Sequence, residues 1–198
     1  DQVLFLAGRL QPGETVVVHA AAGGMGVMLV QMAKLAGARV IGTASTEEKR
    51  ALARSLGADV TIDYTKPEWP AEVREATGGK GADVICEMVG GEVFSQSLSC
   101  LAPFGRIVVF GVAGPQMPTM NPAVLMRHNQ AVVGYYLTTA MERADLMAPT
   151  HERIRAALDA GRLRIVIGGT APLSQAAEVH RRMVARETTG KLVLLPDA

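Results

Sequence analysis

Three groups of residues in this 198-residue chain have the type and spacing to do chemistry. The first is the glycine turn Ala21-Ala22-Gly23-Gly24-Met25-Gly26, set between the apolar run Thr15-Val16-Val17-Val18 and a second apolar stretch from Gly26 to Leu35. A strand that turns sharply into a helix here aims the helix N-terminus, with its unpaired N–H groups and positive dipole end, at an anion. Glycine serves where such a turn is tight, where backbone approaches phosphate and where helix packs on strand. Gly23 and Gly26 hold the second and third positions of a G-x-G-x-x-G pattern, and Ala21 replaces the first. A strand before, a helix after and another strand soon afterwards are the context of a dinucleotide-binding turn. Ala22, Gly23, Gly24, Met25 and Gly26 are therefore the candidate pyrophosphate contacts. The bland alternative is a glycine turn with no ligand.

The second group ends the next apolar run: Gly42-Thr43-Ala44-Ser45-Thr46-Glu47-Glu48-Lys49. Sites for NAD usually carry an acid here to hold the ribose hydroxyls, whereas a 2′-phosphate needs cations and donors. Ala44 stands where the acid would be. Ser45 could donate to a phosphate and Lys49, one helical turn on, could supply charge, which favours NADPH over NADH. The competing reading is structural. Ser45-x-x-Glu48 is a capping box, Lys49 could be a solvated helix lysine, and Glu47 and Glu48 would repel a phosphate unless turned away.

The third group is the nucleophiles and bases. Cys86 and Cys100 are the only cysteines and form no C-x-x-C or histidine-flanked ligand set, which argues against a disulfide framework or local zinc site and fits a reducing cytoplasm. Cys86 reads as an inert thiol inside a strand, and His19 as a satisfied core or rim histidine rather than a catalyst. His128, His151 and His180 are scattered and read as surface residues. No catalytic residue and no metal ligand is assigned.

The elements that position these groups are legible from alternation. Strands at 15–18, 39–43, 59–62, 83–86 and 106–110 are separated by helical patterns at 26–35, 46–56, 69–77 and 93–101. Continuously apolar strands joined by single helices mean crossover connections and a parallel sheet covered on both faces. The fold class is α/β, a Rossmann-type doubly wound parallel sheet with helices on both faces. Beyond Gly111 the rhythm changes: Pro115, Pro118 and Pro122 mark an irregular loop, followed by a strand at 131–137, helices within 141–160 and 174–186, and a short strand at 192–195. Lysine plus arginine total 20 against 19 acids, so no charge bias points to nucleic acid or an anionic membrane. The apolar stretch 16–33 contains His19, Gln31 and the glycine cluster, and is rejected as a membrane span. The start has no basic region of a secretory signal, and no Met, which suggests an excised or incomplete chain.

Several runs, in order, resemble a known family: His19-Ala20-Ala21-Ala22-Gly23-Gly24-Met25-Gly26, Gln31 to Ala38, Gly57-Ala58-Asp59, Asp63-Tyr64, Asp83 to Gly91, Leu101 to Arg106 and Thr189-Gly190-Lys191-Leu192-Val193-Leu194. Together they resemble the quinone oxidoreductase (zeta-crystallin-like) branch of the medium-chain dehydrogenase/reductases. The resemblance implies NADPH, with Lys49, Tyr64 and Arg186 at the 2′-phosphate. It also implies nicotinamide contacts in the loops after the fourth and fifth strands, Val89-Gly90 and Phe110-Gly111-Val112, where ligands collect in open α/β sheets. Glu87 stands where the family commonly has aspartate. The implied organisation is an inter-domain helix and lead-in at 1–14, a dinucleotide-binding domain at 15–186, and a strand and tail at 187–198 that would pack on a GroES-like substrate domain absent from this chain. The double alanine opening the turn favours the zinc-free branch. The implied activity is hydride transfer from NADPH to a quinone or enone. An enoyl reductase acting on an acyl thioester, or a non-catalytic NADPH-binding protein, is the alternative. A homodimer through the edge strand near Ala131–Leu137 is also implied, and the isolated segment is expected to be inactive without a substrate domain.

Overall fold

The computed structural model describes residues 1–196; the final residues of the expected tail, 197–198, lie outside the described residues. Six parallel strands form one sheet in the order β3-β2-β1-β4-β5-β6. They are β1 (Thr15–Val18), β2 (Arg39–Thr43), β3 (Val60–Ile62), β4 (Ala82–Glu87), β5 (Leu101–Val109) and β6 (Ala131–Gly134). Their apolar runs are continuous because both faces are covered: Val16, Val17 and Val18 are all fully buried, on alternate sides. Val16 and Val18 pack with α1 (Gly26–Leu35) and the N-terminal residues Val3 and Leu4. Val17, Ile41, Ile85 and Ile107 pack on the other side against Trp69 and Val73 of α3 (Trp69–Ala76) and Phe94 of α4 (Gly91–Ser99). Each such aliphatic side chain contributes about 1.5–3 kcal/mol when fully buried. The strand order reverses between β1 and β4, so a crevice opens at their carboxyl ends, and the glycine turn leaves β1 into it.

Arg106 fastens the start of the chain to this sheet. Its side chain forms a two-pronged pair with Glu14 (2.7 and 2.6 Å), and it also donates to the carbonyls of Gly8, Arg9 and Asp83. Partial burial works against the Glu14 charge, yet the Arg106 hydrogen bonds outweigh it and hold the carboxyl below its ordinary range. The pair therefore stabilises fully above the ordinary carboxylate pKa, and that contribution is lost as pH falls through the lowered value. Arg106→Met is expected to cost about 3 kcal/mol, because carbonyls and a half-buried acid lose their partner. Urea unfolding checks it, and the variant's stability should also fall less steeply in acid than that of the native protein.

The remaining elements depart from the sequence reading in instructive places. β5 begins at Leu101, five residues early, because Ala102 to Gly105 form an irregularity: Ala82 pairs with Leu101 but Val84 pairs with Arg106. Phe104 sits there in the left-handed region (φ +60°) with its ring exposed. β6 stops at Gly134, although the Tyr135 amide still donates to Val109 (2.9 Å), and Leu137 opens a short helix, α5 (Leu137–Met141), ahead of α6 (Ala144–Asp159). The proline-marked loop contains a 3-10 helix, Pro122–His128, capped by the Asn121 side chain on the Ala123 amide (3.0 Å). Within the segment 1–14, Val3–Ala7 forms a π-helical turn. After α6 comes an unexpected strand, β7 (Ile167–Pro172), followed by α7 (Ala176–Val184) and β8 (Lys191–Leu195). β7 and β8 pair in parallel as a separate two-stranded sheet.

Candidate functional site

The glycine turn is built by a clash that only glycine avoids. Ala20 adopts φ +49°, the Gly23 amide closes the turn on the Ala20 carbonyl (2.8 Å), and α1 starts at once. A Cβ on Gly26 would stand 2.1 Å from the Ala20 oxygen and 2.7 Å from Ala21 Cα. Met25, the N-cap residue of α1, gives no side-chain cap, and an uncapped helix N-terminus attracts anions.

A groove of about 750 Å³ runs over the turn, within the size range of small-molecule and cofactor sites. Ala22, Gly23, Gly24 and Met25 form its floor, with Gly26 buried beneath. At one end Ser45, Lys49, Tyr64 and Arg186 come together although far apart in sequence. Lys49 Nζ donates to the Arg186 carbonyl, and Arg186 Nη1 donates to the Tyr64 hydroxyl (3.1 Å). Ser45 is not the helix cap: Thr46 is, its hydroxyl accepting from the Lys49 amide (3.3 Å) at the start of α2 (Glu47–Ser55). Ser45 is thus left facing the groove. Glu47 is turned away onto Arg50 and Arg54, so the feared repulsion is removed for that residue. Lys49, Arg186 and Lys191 line the groove and no carboxylate does, among the described residues.

Beside the turn, Met88 and Val89 line the groove together with Ala113, Gly114 and Pro115. The two loops are laced by Ala113 N to Met88 O (2.7 Å) and Gly114 N to Val89 O (2.8 Å). Gly90 sits behind this wall, where a Cβ would meet the Gln116 carbonyl at 2.7 Å. Next to this wall Phe110 packs on the core, while Gly111 and Val112 are exposed and Val112 lies against Gly90. Buried Glu87 caps the bend by accepting from the amides of Val89 and Gly90 through Oε1.

His19 lies under the site, not in it. Its ring nitrogens meet Thr43 Oγ1 (2.8 Å) and Ser97 Oγ (3.0 Å), and its face meets the edge of Trp69 or the reverse, at 5.1 Å between centres. Burial pushes its pKa down, against the pull of Glu87 at 3.6 Å, which suits a neutral brace between strands. Burial likewise pushes both cysteine thiols up to about 12, so they stay protonated. Tyr135 donates to Gln2, and Tyr136 is exposed.

The sequence reading passed over one wall of the groove. Residues from Met183 to Leu192 cross the turn as a strap, with Thr188, Gly190 and Lys191 on its inner side. The Gly190 amide donates to Ala22 O (2.8 Å), and Gly23 and Gly190 pair as a parallel bridge. The run Thr189-Gly190-Lys191 was the available signal, but only its long-range pairing gives it a position.

The family model described as zinc-binding dehydrogenase matches residues 24–161. The chain belongs to this family. Within the medium-chain dehydrogenase/reductases, this zinc-binding dehydrogenase chain is the cofactor-domain part of a member of the quinone oxidoreductase branch. It is 39% identical over 194 residues to a 2-haloacrylate reductase of Burkholderia sp, covering 96% of this chain and 58% of that protein. It is 38% identical over 193 residues to a quinone oxidoreductase of Pseudomonas aeruginosa, covering 95% and 58%. A mycobacterial protein solved in complex with NADPH superposes with a TM-score of 0.92 at 33% identity, over 98% of this chain and 60% of that one. The chain thus spans somewhat over half the length of these relatives. Among the described residues, no group of three or more His, Cys, Asp or Glu could hold a metal ion.

Proposed function

We propose that this chain is the cofactor-binding part of an NADPH-dependent oxidoreductase that passes hydride to a quinone or a similar electron-poor acceptor. The observation that carries this reading is the convergence of Lys49, Tyr64 and Arg186 at the end of a groove free of carboxylates. A dianionic 2′-phosphate is matched there by two cations and hydroxyl donors, whereas the acid that would hold a bare ribose is missing. When bound, NADPH supplies the hydride. The turn and the open end of α1 hold the pyrophosphate; Ser45, Lys49, Tyr64 and Arg186 hold the phosphate; Val89-Gly90 and Phe110-Gly111-Val112 shape the nicotinamide end, whose surface Met88, Val89 and Ala113 to Pro115 form. That wall is largely apolar and excludes water from the reacting face. A reduced quinone leaves as an anion that takes a proton from solvent, so no side-chain acid is required.

In this reading 15–186 binds the dinucleotide, and the strand and tail at 187–198 pack on a substrate domain. Two copies meeting along the outer edge of β6, whose backbone there has no strand partner among the described residues, would extend the sheet; light scattering that finds a monomer counts against this. No helix among the described residues is long and apolar enough to cross a membrane, and two free buried cysteines suit a cytoplasmic protein.

The test is NADPH consumption by the full-length protein on a panel of quinones, crotonyl thioesters and 2-haloacrylates. Turnover of quinones with NADPH preferred over NADH is expected. The haloacrylate relative favours a second reading in which an activated alkene is the acceptor. Turnover confined to thioesters or haloacrylates would select it, and binding without oxidation of NADPH on any acceptor would select a non-catalytic role.

A further inference from the structure

A line of buried polar side chains runs beneath the groove and ends on its nicotinamide wall. Thr43 closes β2, His19 follows β1, Glu87 closes β4 and Ser97 lies in α4. None is more than 1% exposed, so each polar atom has only its protein neighbours for partners. Those contacts fix where the protons lie. Ser97 has one hydroxyl proton and two facing acceptors, Val93 O (2.8 Å) and Glu87 Oε2 (3.4 Å). Its oxygen must then accept from His19 Nε2, 3.0 Å away. In a ring kept neutral by burial, a proton on Nε2 leaves Nδ1 to accept from the Thr43 hydroxyl at 2.8 Å. His19 Nε2 also faces Glu87 Oε2 at 3.6 Å, so both Ser97 and His19 border that oxygen. The other carboxyl oxygen, Oε1, accepts from the Val89 and Gly90 amides. A carboxyl group is planar, so fixing Oε2 fixes the direction of Oε1 and of the bend it caps.

We infer that His19 and Ser97 are positioning residues for hydride transfer: through Glu87 they hold the Val89–Gly90 bend, and with it the wall against which the nicotinamide is aimed. The inference rests on the proposed oxidoreductase reading and deepens it. Val89 lines the groove, whereas Gly90 takes φ +83°, a conformation glycine enters and leaves freely. The bend therefore owes its direction to the carboxyl beneath it. Buried hydrogen-bonded lines of this kind act as units, because each member orients the next. The segments proposed to hold the pyrophosphate and the 2′-phosphate lie elsewhere in the chain, so loosening the bend disturbs aim and leaves grip intact. Aim matters to the reaction: a misplacement of about 1 Å can cost about a hundredfold in rate.

The split between aim and grip is the experiment. In the full-length protein, His19→Phe keeps a ring against Trp69 and removes both nitrogens. It should lower kcat on a quinone by about tenfold while the Kd for NADPH stays within about twofold. His19→Gln, whose amide can return a donor to Ser97, should regain most of the rate. Ser97→Ala, a smaller change that serves if His19→Phe fails to fold, should act in the same direction. Amide hydrogen exchange at Val89 and Gly90 should quicken in His19→Phe and Ser97→Ala and return towards the native rate in His19→Gln. Nitrogen-15 spectra of the native protein should show His19 protonated on Nε2 alone. A proton on Nδ1 overturns the inference. So do unchanged kcat and exchange in these variants, or a loss that falls equally on Kd. A native protein that oxidises no NADPH on any acceptor removes the oxidoreductase reading and this role with it, whereas an active native protein with indifferent variants removes this role alone.

Discussion

Replacing Lys49 by alanine is expected to weaken NADPH by about ten- to a hundredfold while leaving NADH within about twofold, since a hydrogen bond to a charged group is worth roughly 1.5–3 kcal/mol. The selectivity follows from where Lys49 sits. It is in the first turn of α2, bonded to the Arg186 carbonyl, beside the Arg186–Tyr64 pair and remote in sequence from the turn that would hold the pyrophosphate. Its ammonium is the more available to a phosphate because Glu47, two residues earlier, is occupied by Arg50 and Arg54. Isothermal titration with each dinucleotide reads the result. Equal losses for both would make Lys49 a helix-surface charge. In that case its contact with Arg186 would only hold the strap.

The second large effect is on folding. Gly26→Ala introduces a Cβ 2.1 Å from one backbone oxygen and under 3 Å from two further backbone atoms, none of which can move without opening the turn. The expected cost is about 4 kcal/mol or more, a large share of an ordinary domain's stability. Gly24→Ala is the matched control: its Cβ would meet Gly190 O at 3.3 Å and the flexible Lys191 stem at 3.5 Å, contacts that can relax. The melting temperature of the first variant should fall far below that of the second. A Gly26→Ala protein that melts with the native one would mean that the turn is not packed as described.

These two residues also mark how far the sequence could be read. Gly26 was legible because a tight strand-to-helix turn leaves a local signature, and β1, β2 and β4 were legible because their central residues are buried on both faces and apolar. Ser45 was ambiguous by one position: both Ser45 and Thr46 can cap a helix, and only the backbone decides that Thr46 does so. β7 was invisible for a different reason. Ile167-Gly168-Gly169-Thr170-Ala171-Pro172 is exposed along much of its length, so burial wrote no pattern into it, and its pairing with β8 is a long-range event. The nicotinamide end was read incompletely for the same reason. Beyond Phe110 to Val112, the lacing of Ala113 and Gly114 onto Met88 and Val89 brings the following three residues to the groove as well. Local chemistry is written locally, whereas walls contributed by returning chain are not.

The strap has a consequence for the order in which the site comes into being. Ala22 and Gly190 are joined by a backbone hydrogen bond although nearly the whole chain separates them. During synthesis the sheet grows from its early strands, and domains tend to organise as their residues emerge. The glycine turn is therefore present in the nascent chain long before the residues that roof it, and closing a loop of that length is among the slowest contacts to form. The roof of the groove is therefore completed well after the turn beneath it, and a dinucleotide bound there would hold together two segments made far apart in time.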